Sequence, residues 1–197
     1  MKKLDFTHDY SLENDRVLLR PLQLDDFEIL KEFSINEPEL WTYSLLSAAG
    51  PENMKKYMEL AFEDRRKATA YPFIVFDKKT EKYVGSTRFY DYQAKHNTTQ
   101  LGYTWYSKHA QGTGVNKNCK LLMLQFAFEE LGIDRVEFRA DNNNARSIAA
   151  MKSIGCTVEG VLRSNWLGPQ GRGDSIILSI LKDEWFSKVK DHLSKKV

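Results

Sequence analysis

The sequence predicts a mixed α/β fold in a single domain, with one central twisted sheet of about six to seven strands and helices on both faces. Three observations lead there. The chain has 197 residues and no repeat, low-complexity tract or Pro/Gly/Ser linker that would divide it, a length that suits one domain. Period-2 segments and segments with helical spacing follow one another in the order β α α β β β α β α β β. The strand–helix–strand–helix run over residues 98–154 requires locally parallel strands joined by crossover helices, and an antiparallel meander precedes it.

Taken in order, residues 16–20 read as a short strand stopped by Pro21. Asp25 and Asp26 supply the acidic first turn of a helix carrying Phe27, Leu30 and Phe33. Pro51 sits where a second helix starts. Met54, Tyr57, Met58, Ala61 and Phe62 follow it at i, i+3, i+4, i+7 and i+8. Strands are predicted over 71–76 and 83–92, joined by a polar turn at 77–80, and over 98–106, which is rich in Thr, Tyr and Trp. A long apolar helix over 115–131 ends at Gly132. Val136, Phe138 and Ala140 alternate as a strand, and 145–154 is a helix closed by Gly155. Strands at 157–166 and 175–181 precede a terminal helix from Asp183. The domain spans 1–197, with its core expected within 15–186 and 1–14 as an N-terminal extension.

Composition excludes several function classes. Lys and Arg total 29 against 27 Asp and Glu, a net charge of +2, too balanced for a protein held to nucleic acid by phosphate neutralisation. The polar start, Met1 to Tyr10, and the lack of any 18-residue apolar stretch give no signal peptide and no membrane span, so a cytoplasmic location is expected. Cys119 and Cys156 are not in a C-x-x-C pair and sit among apolar neighbours; they read as buried thiols, and no metal site is expected.

The densest signal is the segment from Lys108 to Lys117, which joins a strand to the longest and most apolar helix. Gly112 and Gly114 allow a tight turn whose N–H groups face a ligand, and the unpaired amides of the first helical turn add to them. No Asp or Glu occurs over 107–128, yet Lys108, Lys117 and Lys120 lie at the helix's positive end. That arrangement costs roughly 0.3–1 kcal/mol per cation unless an anion compensates. A pyrophosphate would do so. The segment has neither the G-x-x-x-x-G-K-[ST] string of a P-loop nor the third glycine of a Rossmann loop, where Lys117 stands.

Here the sequence resembles the GCN5-related N-acetyltransferases, in the branch that includes the RimJ and RimL enzymes. Gln111-Gly112-Thr113-Gly114-Val115-Asn116 matches that family's Q/R-x-x-G-x-G/A loop at Gln111 and Gly114, with Asn116 in place of the final small residue. Leu101-Gly102-Tyr103, Asn144-Ala145-Arg146-Ser147, Ile154-Gly155-Cys156, Glu159 to Arg163, Gly173-Asp174 and Glu184-Trp185 match in order around it. The resemblance implies acetyl-CoA as acyl donor and an amine-bearing acceptor, with a splayed parallel strand pair near Tyr103 and Phe138. The pyrophosphate would lie on the amides of Gly112, Gly114 and Asn116, within a loop completed by Gln111, Thr113, Val115 and Lys117. A backbone N–H near Trp105 or Tyr106 would bind the thioester carbonyl, and Asn144 would bind the pantetheine or cap its helix.

Aminolysis of a thioester needs a neutral amine and benefits from a proton for the departing thiolate. Many relatives carry a Glu at the position of Gln100 and a Tyr at that of Met151, and neither residue found here can do that work. Ser147 fits the RimL-like branch as the hydroxyl serving the thiolate. Asp91, Glu137 and Glu159 are the candidate bases, with Asp91 first. His96 and His109 read as exposed loop residues. Acceptor recognition is expected from residues 36–50 and a hairpin loop at 165–173, with Trp41, Tyr43, Trp105 and Trp166 lining a groove or packing in the core. A CoA-binding module without transferase activity, a transferase for longer acyl chains, and a homodimer through the closing strands all stay compatible with this pattern.

Overall fold

The computed structural model describes residues 3–44, 46–168 and 171–197. Its elements are β1 (Leu12–Glu13), β2 (Val17–Pro21), α1 (Phe27–Asn36), α2 (Pro51–Arg66), β3 (Tyr71–Asp77), β4 (Lys82–Gln93), β5 (Thr98–Tyr106), α3 (Val115–Gln125), β6 (Arg135–Asp141), α4 (Ala145–Ser153), β7 (Thr157–Gly168) and β8 (Gly171–Leu181). A C-terminal helix closes the chain as α5 (Lys182–Glu184), a π-helical stretch (Trp185–Val189) and α6 (Lys190–Ser194). The strands form one sheet in the order β1-β2-β3-β4-β5-β6-β8-β7. The sheet therefore has eight strands rather than six or seven. The extra one, β1, pairs Leu12 with Leu19 and Glu13 with Leu18, and two residues are too few to show a period.

Helices cover both faces, as expected. On one face Leu30, Met54, Tyr57, Met58 and Ala61 of α1 and α2 pack with Trp41, Ile74 and Trp105. On the other, Val115, Cys119, Met123 and Phe126 pack with Met151, Trp185 and Leu193 against Phe89, Leu101, Phe138 and Leu178 of the sheet. This second core reaches beyond residues 15–186, because Leu4, Tyr10, Leu12, Val189 and Leu193 are buried in it. Among the described residues no helix is long and apolar enough to cross a membrane.

Two further departures have physical causes. The long helix predicted over 115–131 changes at Phe126–Glu130 to a π-helical turn, closed by Leu131 N donating to Phe126 O at 3.0 Å. The wider turn lets three consecutive residues, Phe126, Ala127 and Phe128, all point inward. The hairpin loop expected at 165–173 is mostly strand, since β7 runs to Gly168 and β8 starts at Gly171. Trp166 lies over Gly173 where a Cβ would stand. Pro169 and Gln170 of that loop, and Leu45 of the 36–50 segment, lie outside the described residues.

One pairing positions the site. All ladders are antiparallel except β5–β6, which is parallel and short: Thr98↔Arg135, Thr99↔Val136 and Gln100↔Glu137. Beyond Gln100 the two strands part. From Leu101 to Tyr106, β5 has a partner on its β4 side only.

Candidate functional site at the parted strands

The loop after β5 leads straight into α3. Gly112 and Gly114 have φ of 76° and 93°, a region where other residues are strained. Thr113 Oγ1 donates to Ala110 O at 2.7 Å, and Asn118 Nδ2 donates to Gly114 O at 3.1 Å. Asn14 Nδ2 holds Asn118 Oδ1 at 2.8 Å, so a residue from the N-terminal segment helps to fix the turn. Among the described residues, the backbone N–H groups of residues 112–117 donate to no protein acceptor. Val115 is buried and anchors the helix start, while Asn116 and Lys117 stay partly exposed. A cluster of unpaired amides at the positive end of a helix has the polarity that suits an anion.

The three lysines expected there have different surroundings. Lys108 pairs with Glu39. Lys120 does not face the loop at all: it is 5% exposed, and its Nζ donates to Thr104 Oγ1 at 2.8 Å and Thr87 Oγ1 at 3.4 Å on the inner side of α3. Lys117 forms no ion pair among the described residues. Of the three, it alone stays beside the loop without a charged partner among the described residues.

Across the gap, α4 is tied to this loop. Gln111 Nε2 donates to Tyr106 O at 2.9 Å, and Arg146 of α4 donates to Gln111 Oε1. Arg146 is a residue that sequence reasoning passed over, although it lies in the quoted Asn144-to-Ser147 match. Asn144 is the N-cap of α4, and its Oδ1 accepts from Ser147 N at 3.0 Å. The cap is thus real, and the Asn144 Nδ2 group stays available to a ligand. Ser147 is half-buried on the first turn. Replacing Asn144 with Ala is expected to lower unfolding free energy by about 1 kcal/mol in a denaturant titration. Asn144→Asp keeps the acceptor and should restore stability.

On the opposite face the sheet is distorted. Between Ser86↔Trp105 and Arg88↔Gly102, β5 has one residue more than β4, and Tyr103 in that bulge has φ 49°. The bulge turns Tyr103 onto the α2 side, where its ring lies against Tyr90 (centroids 5.1 Å) and over the Arg88 guanidinium at 4.0 Å. Trp105 packs between Phe33 and Trp41, and Tyr106 is buried towards Cys119, so only their backbones border the gap. Trp41 is likewise core, whereas Tyr43 is exposed.

A second bulge, at Asp91 with φ 48°, turns its carboxylate onto β5. Asp91 Oδ2 accepts from Gln100 Nε2 at 2.8 Å and Oδ1 from Gln93 Nε2 at 3.1 Å. Asp91 therefore lies inside β4 at the last β5–β6 rung, rather than at a free strand end. With Gln93, Thr98, Thr99, Gln100, Arg135 and Glu137 it lines a polar cleft of about 120 Å³. Glu137 stands beside Gln100 and accepts from Arg135 Nη2 at 2.8 Å and Arg139 Nε at 2.7 Å. Glu159 is paired to Arg135, and that hydrogen bond holds its carboxyl below the usual range. Burial pushes the Cys119 and Cys156 thiols up to about 12, so neither serves as a nucleophile at neutral pH. His96 and His109 are exposed.

Comparisons with known proteins bear on the fold and the family. A family model described as Acetyltransferase (GNAT) domain matches residues 16–157. YdaF of Bacillus subtilis (strain 168), provisionally named a ribosomal N-acetyltransferase, is 26% identical over 177 residues, 87% of this chain and 94% of its own. A crystal structure from T. thermophilus, provisionally described as an acetyltransferase, is 28% identical with a TM-score of 0.84, covering 95% of this chain and 96% of that one. Mycobacterium smegmatis RimJ in complex with CoA-disulfide shares the fold at 16% identity and a TM-score of 0.78, covering 95% and 93%. The chain belongs to the GNAT family of acetyl-CoA-dependent N-acetyltransferases.

Proposed function

We propose that the chain transfers an acetyl group from acetyl-CoA to a primary amine, namely a protein N-terminal α-amine, a peptide or a small amine, by direct attack on the thioester. The carrying observation is the cluster of unpaired backbone amides over residues 112–117, set where β5 and β6 part beyond Gln100. Acetyl-CoA supplies the activated carbonyl and a thiolate leaving group. The amides of Gly112, Gly114 and Asn116, with Lys117, hold its pyrophosphate, and Gln111, Thr113 and Val115 keep the loop in shape. Asn144 offers its Nδ2 to the pantetheine, and the free edge of β5 at Trp105 and Tyr106 offers a backbone donor to the carbonyl. Ser147 is the hydroxyl on the thiolate side, and Asp91 the carboxylate on the acceptor side.

Acetyl-CoA is expected to bind the unaltered chain with micromolar affinity in calorimetry. Lys117→Glu, which puts a negative charge at the positive helix end, should weaken it at least about tenfold. No binding to the unaltered chain would sink the coenzyme reading. A catalytically silent CoA-binding module is the second reading, favoured by Gln100 and Met151 standing where relatives have an acid or base. Steady turnover with any amine would exclude it.

A further inference from the structure

The start of α3 is held without an ordinary cap. Gly114, its N-cap, has no side chain, and among the described residues the N–H groups of 112–117 donate to no protein acceptor. A Ser, Thr, Asn or Asp at that position would take the amide of residue 116 or 117 for itself. The turn is fixed through its carbonyl instead. Gly114 O accepts from Asn118 N and from Asn118 Nδ2, each at 3.1 Å. Gly114 O and Val115 N–H belong to one planar peptide unit and point in opposite directions. Holding the oxygen towards Asn118 therefore aims the Val115 N–H out of the helix start and leaves it free.

Asn118 is 7% exposed, and its orientation is set from the N-terminal side of the chain. Asn14 stands in the turn between β1 and β2, where its Oδ1 accepts from the N–H groups of Arg16 and Val17, both at 3.0 Å. Backbone N–H groups only donate, so the Asn14 amide has one orientation, and its Nδ2 faces α3. That Nδ2 donates to Asn118 Oδ1 at 2.8 Å, which directs Asn118 Nδ2 onto Gly114 O. The relay is consistent from both ends, since a carbonyl only accepts. The same turn reaches the loop a second time. Arg16 pairs with Asp77, and its Nη2 lies 3.5 Å from Thr113 Oγ1, whose own hydrogen goes to Ala110 O. Upstream, Tyr10 packs on Phe126 with centroids 4.8 Å apart, and Leu12 is buried in the same core.

We infer that Asn14 and Asn118 are positioning residues for the coenzyme, and that the β1–β2 turn, and not the glycine loop alone, sets the affinity for acetyl-CoA. The inference rests on the acetyl-transfer reading above. Neither side chain touches the ligand. With the relay broken, Gly114 O keeps only its helical bond, and the peptide unit that carries the Val115 N–H can rock. The amides then have to be ordered when the anion arrives, and that ordering is subtracted from the binding free energy.

The test is calorimetric titration of the full chain with acetyl-CoA, well below the melting temperature of every variant, using changes that add no charge. Asn14→Ser keeps a hydroxyl acceptor for the turn but cannot reach Asn118. Asn118→Leu keeps a side chain of similar size and loses both bonds. Each should raise the Kd about three- to tenfold. The double variant should be no worse than Asn118→Leu, because the two residues act in series. Trp185→Ala, destabilised at the other end of the long helix, should bind with the wild-type Kd, which separates positioning from general stability. An unchanged Kd in Asn14→Ser, or a double variant in which the two losses multiply, overturns the relay from the β1–β2 turn. An equal loss in Trp185→Ala overturns positioning as its cause. If Asn118→Leu does not fold, Asn14→Ser against Trp185→Ala decides the matter. Absence of binding to the unaltered chain overturns the coenzyme reading and this inference together.

Discussion

Trp185→Ala is expected to cost about 3–5 kcal/mol of stability. The side chain is fully buried, its ring stacks on Phe128 with centroids 5.6 Å apart, and its Nε1 donates to Glu129 Oε1 at 2.9 Å. Truncation leaves a large cavity and also orphans a partner of Glu129, whose other oxygen takes Lys190 Nζ at 2.9 Å. These contacts pin the C-terminal helix to the end of the long helix that begins at the phosphate loop. For a chain of this length the loss corresponds to roughly a 10 °C fall in Tm. Calorimetric or circular-dichroism melting reads it directly. Trp185→Phe keeps the stacking and most of the volume, so it should lose far less. If both variants melt alike, the hydrogen bond to Glu129 rather than the packing carries the stability.

How much of this was legible follows from how local each feature is. The glycine turn from β5 into α3 was readable because everything it needs is contiguous: a strand, two glycines and a helix start. The cap at Asn144 is local in the same sense, and so was the apolar spacing of α2. What escaped the sequence depends on bulges and on partners far along the chain. Strict alternation sends Asp91 and Tyr103 to the α3 face of the sheet, but positive φ at each rotates them to the other side. That rotation is what creates the Asp91–Gln100 bond. Lys120 was misread for the same reason. A lysine in the first turns of a helix is solvated by default, and only the pairing of β4 with β5 puts the Thr87 and Thr104 hydroxyls 2.7 Å apart beneath it. Arg146 was in plain view, but its partner Gln111 lies on the far side of the parted strands.

Lys120→Met is expected to stabilise the protein at and below neutral pH, with an advantage that disappears as the pH rises. Burial is the main cause pulling the Lys120 ammonium down to about 7. The titratable groups facing it are the Cys119 and Cys156 thiols, and among the described residues no carboxylate pairs with it. The unfolded chain keeps this proton to about pH 10.4. Between roughly pH 7 and 10.4 the unfolded state thus binds more protons than the folded one, and wild-type stability gains with pH across that window. Below it both states are charged, and folding bears the full cost of burying the cation, of order a few kcal/mol. Methionine of similar length removes the charge and fills the space. It forfeits the bonds to the two threonines, worth about 0.5–1.5 kcal/mol each, although Thr87 and Thr104 still bond to one another. The Tm difference between variant and wild type should therefore be positive near pH 6, shrink through pH 8 to 9, and vanish or reverse by about pH 10. A difference that stays flat across that range would mean Lys120 does not titrate in the folded protein. A variant less stable at pH 6 would mean that its ammonium, and not the threonine pair, holds α3 onto the parted edge of β5.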